Sequence, residues 1–191
     1  MNVQSNTDKK ETVFKATLEL IHQRGFHGTP MSQIAQNSGV AIGTIYHYFE
    51  SKDVLIIELF KYCKTLLADA IFKDNHPEID FKSRFFSLWM NFVNYYIAHP
   101  EILSFMEQFY SSPFLNKVLV EETMCGEDSV SSFLNEGISL EFIKRADVNI
   151  VSTVFIGTAV STVKRYLHGI HPINQDSFQH IIEIIWDGIK K

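Results

Sequence analysis

Residues 38–55 constrain the fold more than any other part of the chain, because several short-range signals follow one another there without a gap. Gly39 is followed by Val40 and marks a tight turn, and residues 42–49 then predict a short helix. In such a helix Ile45 and Phe49 lie one turn apart on one face. Three residues lie on the opposite face, which we expect to be exposed: Gly43, Tyr46 and His47. The stretch therefore predicts a short helix that is anchored on one side only.

Two helices precede this stretch and are expected to hold it. Residues 8–24 have apolar positions at helical spacing, and Gly25 stands where a left-handed C-terminal cap belongs. Thr29 is predicted to cap a second, short helix that has Pro30 at its first position and runs to about residue 38. The three helices form a helix-turn-helix pattern, and a short exposed helix held in this way suits insertion into the DNA major groove.

The motif itself resembles a known family. The run Gly43-Thr44-Ile45-Tyr46-His47-Tyr48-Phe49, with Gly39-Val40 before it and Ser51-Lys52-Asp53-Val54-Leu55 after it, is similar to the DNA-binding half of the TetR family of bacterial transcription regulators. The resemblance covers about the first third of the chain. It implies that residues near the recognition helix contact bases and phosphates, and that Lys52 contacts a phosphate. The implied DNA-binding residues are Thr29, Met31, Ser32, Ile42, Gly43, Thr44, Tyr46, His47, Tyr48 and Lys52.

One position departs from the family pattern. Many members have a polar pair where this chain has Ala41-Ile42, so the usual N-cap and a cation are both missing at the front of the recognition helix. Two interpretations of Ile42 remain open. It contacts a thymine methyl group or a sugar of the DNA, or it packs on Thr44 and the turn.

Charge and composition narrow the class of protein. The net charge is −5, with +1 on residues 1–52 and −6 on the rest, so the prediction of DNA binding rests on the motif and not on charge. There is no apolar run of about 18 residues and no signal peptide, which predicts a cytoplasmic protein. Cys63 and Cys125 are far apart and are expected to be structural thiols.

The rest of the chain predicts more helices, about nine in all, and an all-α fold of two domains. Ser51 caps a fourth helix that runs to about residue 72 and connects a head, residues 1–52, to a second domain, residues 53–191. Further helices are predicted over residues 81–98, 100–110, 113–134, 148–168 and 178–190. No Gly/Ser-rich linker separates the two domains, so motion in the second domain is expected to be transmitted to the head.

The second domain is rich in aromatic residues, since ten of the sixteen phenylalanines lie between residues 81 and 155. They form either a plain core or a cavity for a small apolar or aromatic ligand, which TetR-like second domains commonly hold. The expected lining consists of Trp89, Phe92, Tyr96, Phe105, Phe109, Tyr110 and Phe155. Possible polar anchors are Asn91, Asn94, Gln108 and Arg165.

The last two predicted helices carry features of an interface. The first has small residues among β-branched ones, and the second has a wide apolar face that needs a cover. In the TetR family the corresponding helices form a four-helix bundle across a two-fold axis, which implies a homodimer. The predicted interface residues are Gly157, Val160, Ser161, Ile181, Ile182, Ile185 and Trp186.

No catalytic motif accompanies these features, and neither an enzyme nor a cofactor is expected. The pair His168 and His171 straddles Gly169 without acidic or cysteine partners, so no metal site is expected. The resemblance implies a transcriptional repressor that binds a palindromic double-stranded DNA operator and is released by a small hydrophobic effector. Two alternatives are a helical carrier of hydrophobic molecules that has lost DNA binding, and a DNA binder without a ligand.

Overall fold

The computed structural model describes residues 3–122, 129–169 and 174–191, and these residues form ten α-helices and no β-strand. The prediction of an all-α fold is therefore confirmed. The described residues contain no helix that is both long and apolar enough to cross a membrane. The helices are α1 Val3–Arg24, α2 Met31–Ser38, α3 Ile42–Tyr48, α4 Lys52–Phe72, α5 Phe81–Ala98, α6 Pro100–Tyr110, α7 Phe114–Glu122, α8 Ser129–Ser139, α9 Val148–Leu167 and α10 Gln175–Ile189.

Several helix ends lie where local sequence signals predict them. Gly39 ends α2 in the left-handed conformation, with φ +66°. The Ser51 hydroxyl accepts a hydrogen bond from the Val54 amide at the start of α4, at 3.2 Å. The Asp147 carboxylate accepts from the Asn149 amide at 2.8 Å and caps α9. Each of these caps acts within three residues of itself, and this is why the sequence alone identifies it.

The start of α2 differs from the prediction. The Thr29 side chain does not cap this helix, because its hydroxyl donates to the Gly25 carbonyl at 2.9 Å. Pro30 occupies the N-cap position, and its carbonyl accepts from the Gln33 and Ile34 amides at 3.0 and 3.1 Å. The helix consequently begins one residue later than predicted.

The helix predicted over residues 113–134 also differs from the structure. Two helices are found there, α7 ending at Glu122 and α8 beginning at Ser129, which raises the number from about nine to ten. The bend expected at Cys125-Gly126 lies outside the described residues. The last helix, α10, begins at Gln175 and not at residue 178, because Asn174 forms a capping box with Ser177.

The first compact unit comprises residues 1–65 and 99–124, so it extends beyond the predicted head at residues 1–52. It contains α1, α2 and α3, α4 as far as Thr65, and α6 and α7. Within it α1 packs on both α2 and α6. The rings of Phe60 and Phe109 stack at 4.0 Å and join α4 to α6. Helices α6 and α7 are therefore part of the structure that supports the predicted recognition helix.

The second compact unit comprises residues 66–98 and 125–191. Helix α5 packs against α9 and α10, and α8 packs against α9. The Phe81 ring is stacked between Phe133, at 4.7 Å, and Phe142, at 5.1 Å. The Arg84 guanidinium, nearly buried, forms a two-point ion pair with the Glu136 carboxylate and joins α5 to α8.

Candidate nucleic-acid interface

Helix α3 is fixed to the first unit by its two predicted anchors. Ile45 and Phe49 are both wholly buried. The Phe49 ring lies 5.5 Å from the Phe14 ring of α1, and the Lys10 ammonium lies 5.5 Å from the centre of the Phe49 ring. Because both anchors lie on one face, the opposite face of α3 points away from the core.

The turn into α3 has no side-chain cap. Ala41 occupies the N-cap position, and only its carbonyl takes part, accepting from the Thr44 and Ile45 amides at 2.8 and 3.1 Å. The Val40 amide donates to the Ser38 hydroxyl at 3.3 Å and closes the turn from the other side. The departure from the family pattern at Ala41-Ile42 therefore leaves this helix start without a side-chain cap.

The outward face of α3 carries an apolar residue, an aromatic hydroxyl and an imidazole. Ile42 is 44% exposed and Tyr46 is 47% exposed, and Gly43 and His47 are exposed beside them. Ser32 is exposed on α2, while Thr44 and Tyr48 are half-buried. Ile42 forms one wall of an open, mainly apolar depression with residues of α2 and the turn, namely Ser32, Ala35, Gln36, Gly39, Val40 and Ala41. This surface presents an apolar depression and a few polar groups but little charge.

Two of the predicted DNA-binding side chains lie inside the unit. Thr29 is wholly buried, and Met31 is 8% exposed. These two side chains are therefore not available to DNA, and only the backbone amides at the start of α2 could take their place. The exposed hydroxyl at this helix start belongs to Ser32.

Lys52 lies at the start of α4 and is half-buried. Its ammonium donates a hydrogen bond to the main-chain carbonyl of Phe26. Burial lowers the pKa of Lys52, and the neighbouring Asp53 carboxylate opposes this only in part. Asp53 itself forms an ion pair with Lys117 of α7 at 2.7 Å. No sequence signal pointed to Phe26, because it lies 26 positions before its partner.

The seven aromatic residues predicted to line a ligand cavity divide between the two compact units. Trp89, Phe92, Tyr96 and Phe155 are buried in the second unit. Phe105, Phe109 and Tyr110 belong to the first unit, where Tyr110 is 53% exposed. Aromatic composition alone predicts that residues are buried but does not predict in which unit they are buried.

The polar residues predicted as ligand anchors are placed as follows. The Asn91 amide donates to the Ile71 carbonyl and to the Asp74 carboxylate, both at 3.2 Å. The Gln108 amide donates to the Ile21 carbonyl at 3.4 Å. Asn94 and Arg165 are exposed. Among the predicted aromatic lining, the Trp89 indole N–H already donates to the Thr158 hydroxyl at 3.2 Å.

The predicted dimer residues divide into exposed and buried sets. Gly157 and Ser161 are exposed on α9, and Val160 and Ile181 are half-buried. Ile182, Ile185 and Trp186 are buried within the second unit, where Trp186 lies 5.3 Å from the Phe85 ring. The periodic pattern of α10 showed an apolar face but did not show that α5 and α9 both pack against it.

Exposed apolar residues lie elsewhere on the same two helices. Ile150 and Val154 of α9 are 63% and 37% exposed, and Ile184 of α10 is 72% exposed. A groove of about 540 Å³ runs along the outer face of α9 and is lined by Gly157, Val160, Ser161, Lys164, Arg165 and His168.

Of the other residues singled out from the sequence, Cys63 is wholly buried, while Cys125 and His171 lie outside the described residues.

Helix α3 follows a turn in which Gly39 is left-handed, is anchored by buried residues on one side and exposes its other side. This arrangement is that of a helix-turn-helix protein. Residues 13–59 match the family described as bacterial regulatory proteins, tetR family. Residues 80–190, more than half of the chain, match the tetracyclin repressor-like C-terminal domain. The chain belongs to the TetR family of transcription regulators.

Other proteins are similar to this chain over nearly its whole length. An uncharacterized HTH-type transcriptional regulator of Haemophilus influenzae is 24% identical over 188 residues, which cover 98% of this chain and 99% of that one. The crystal structure of a TetR family regulator from Marinobacter aquaeolei has a TM-score of 0.87 at 20% identity, with 98% of each chain covered. The structure of FadR from Bacillus subtilis in complex with stearoyl-CoA has a TM-score of 0.70 at 21% identity, covering 94% of this chain and 98% of that one. These structures show a common fold.

Proposed function

We propose that this TetR family regulator binds a palindromic operator as a homodimer in the cytoplasm, and that it is a repressor released by a small apolar or aromatic ligand. The observation that carries the DNA-binding part is the outward face of α3, where Tyr46 and Ile42 are about half exposed, while Ile45 and the residue that ends the helix, Phe49, are wholly buried. A helix fixed in this way keeps one orientation in the groove, and sequence-specific contacts require that.

Selection of bound sequences from a random duplex pool at near-physiological salt tests the operator. We expect a palindrome whose half-sites are centred about one helical turn, roughly 34 to 36 Å, apart. Salt-sensitive retention of all sequences, with no consensus in the presence or absence of ligand, would reject this proposal. The carrier that has lost specific DNA binding would then be the better interpretation.

Tyr46→Ala tests the recognition face directly. We expect it to weaken operator binding by on the order of 1 to 3 kcal/mol, the range for a lost base contact, without changing thermal unfolding. Tyr110→Ala is the matched control, because Tyr110 is similarly exposed, at 53% against 47% for Tyr46, but lies on α6. Equal losses of affinity in the two variants, or unfolding of Tyr46→Ala, would show that Tyr46 has no specific role in DNA binding.

Ile42 is proposed to contact a thymine methyl group, since it lines an apolar depression at the front of α3. Replacing each operator thymine in turn by deoxyuridine removes that methyl group alone. One replacement is expected to weaken binding about fourfold, the equivalent of about 0.8 kcal/mol for one buried methyl-sized group. Ile42→Ala should abolish the difference between thymine and deoxyuridine, whereas Ile79→Ala, a change at an exposed isoleucine in the other unit, should keep it.

An apolar effector is proposed because the second unit concentrates aromatic side chains on α5 and α9, including Trp89, Phe92 and Phe155. Stearoyl-CoA, the ligand named for the structurally similar FadR, is a suitable first probe, with coenzyme A as the control. A ligand that binds only the free protein should raise its unfolding temperature and release the operator together. If a panel of acyl and aromatic compounds does neither, the regulator binds DNA without an effector.

A homodimer is proposed through the outer faces of α9 and α10. They expose Ile150, Val154 and Ile184, and α9 adds the groove at Gly157 and Ser161. We expect Ile184→Asp to shift the protein to the monomer in sedimentation experiments, while Ile79→Asp leaves the dimer intact. A monomeric wild-type protein that still selects a palindrome would exclude this interface.

A further inference from the structure

The turn between α1 and α2, residues 25–29, is held at several points. It begins with Gly25 in the left-handed conformation, φ +68°. The Thr29 hydroxyl bonds back to the Gly25 carbonyl at 2.9 Å. The Phe26 carbonyl accepts from the Thr29 amide at 3.4 Å and also from the Lys52 ammonium. The turn thus connects the start of α2 with the start of α4.

The side chain of Phe26 points to a different pair of helices. Its ring meets Phe105 of α6 edge-on at 5.8 Å and 72°, and Phe114 of α7 at 5.7 Å and 85°. Phe105 is wholly buried, and its neighbour Phe109 is stacked on Phe60 of α4. The Phe26 ring therefore packs on α6 and α7, while its carbonyl holds the Lys52 ammonium.

The carbonyl restricts Lys52. A free lysine side chain loses much rotamer entropy when it binds a phosphate, and a lysine that is already held loses less at that step. An ammonium has three N–H donors, so a bond to Phe26 leaves two for another acceptor. Lys52 occupies the position whose counterpart in the family contacts a phosphate, so the bond to Phe26 prepares it for that contact.

We propose that Phe26 is a positioning residue for DNA binding, through which α6 and α7 set the place of the Lys52 ammonium. This inference rests on the proposed DNA binding and on the phosphate contact that the family resemblance implies for Lys52.

The first experiment needs no DNA. The Nζ–H signal of Lys52 is followed by NMR in protein labelled with ¹⁵N at lysine, since a hydrogen-bonded ammonium exchanges its protons slowly with water. We expect Phe26→Leu and Phe114→Leu to accelerate this exchange. Phe72→Leu is the control, because Phe72 is also half-buried and meets Phe133 edge-on, at 6.3 Å and 79°, in the second unit. An unchanged Lys52 signal in Phe26→Leu would overturn the proposal.

The second experiment is a double-mutant cycle on operator binding with Phe26→Leu and Lys52→Met. Each single variant should weaken binding by about two- to tenfold, the range for losing one pre-ordered side chain. The double variant should be no weaker than Lys52→Met alone, because Phe26 acts only through Lys52. Losses that multiply would show a merely structural effect and would overturn the proposal. If no operator exists, the proposed function fails, and the NMR experiment still decides whether Phe26 holds Lys52.

Discussion

Gly137 of α8 should not tolerate even a methyl group. A Cβ added there would lie 2.3 Å from Cζ and 2.8 Å from Cε1 of Phe81, and 2.9 Å from Cδ1 of Ile143. Carbon atoms in contact are normally separated by about 3.5 to 4.0 Å. The Phe81 ring would therefore have to move by more than about 1 Å to reach that separation.

The ring has little room to move. Phe81 is 4% exposed and is stacked on both sides, by Phe133 and by Phe142. Overpacking of this kind costs about 1 to 3 kcal/mol, and contacts below 3 Å indicate the upper end. Replacing a helical glycine by alanine returns about 1 kcal/mol. The net loss in the free energy of unfolding for Gly137→Ala is thus about 2 kcal/mol, or a fall of about 4 to 8 °C in the unfolding temperature.

Scanning calorimetry of Gly137→Ala and Gly188→Ala measures this. A Cβ at Gly188, in α10, meets no atom within 4 Å, so the same substitution should stabilise the protein by about 0.5 to 1 kcal/mol. Adding Phe81→Leu should reveal coupling, because the smaller side chain removes the two contacts with the ring and leaves only the one with Ile143. A Gly137→Ala protein as stable as Gly188→Ala would refute the reasoning.

Three further experiments have definite expected outcomes. Gly43→Ala should keep or raise thermal stability, since an added Cβ meets nothing within 4 Å, yet lower operator affinity; unchanged affinity would place Gly43 away from DNA. Burial raises the pKa of the Cys63 thiol to about 12, so iodoacetamide at pH 8 should leave it unmodified, as judged by mass spectrometry, until the chain unfolds; rapid native labelling would contradict its burial. Glu136→Gln should lower the free energy of unfolding by about 1 to 3 kcal/mol, because it leaves the Arg84 side chain, 10% exposed, without its carboxylate. The exposed pair Lys61 and Glu58 is the control, and Glu58→Gln should change stability by less than about 1 kcal/mol.

The features that could be predicted from the sequence are those fixed by neighbouring residues. Gly39, Ser51 and Asp147 end or begin helices through contacts within three positions, and the structure shows all three in those roles. The spacing of Ile45 and Phe49 likewise identified the buried face of α3. Local geometry settles such features whatever the rest of the chain does.

Features that depend on residues far away in the sequence could not be predicted from local patterns. The apolar face of α10 predicted an interface at Trp186, whereas that side chain packs on Phe85 of α5, and Ile184 is the exposed residue. Thr29 was expected near the DNA backbone, yet it is buried and bonds to Gly25. Periodicity gives the residues that share a face, but which element covers that face is decided by the tertiary packing.

Both tryptophans of the chain, Trp89 and Trp186, are buried in the second unit, and the first unit has none. Intrinsic fluorescence excited near 295 nm consequently reports on that unit alone, whereas helical ellipticity reports on both. The wild-type protein thus carries its own site-specific optical probe. Denaturation followed by the two signals in parallel will show whether the unit that bears the recognition helix unfolds together with its partner unit or separately from it.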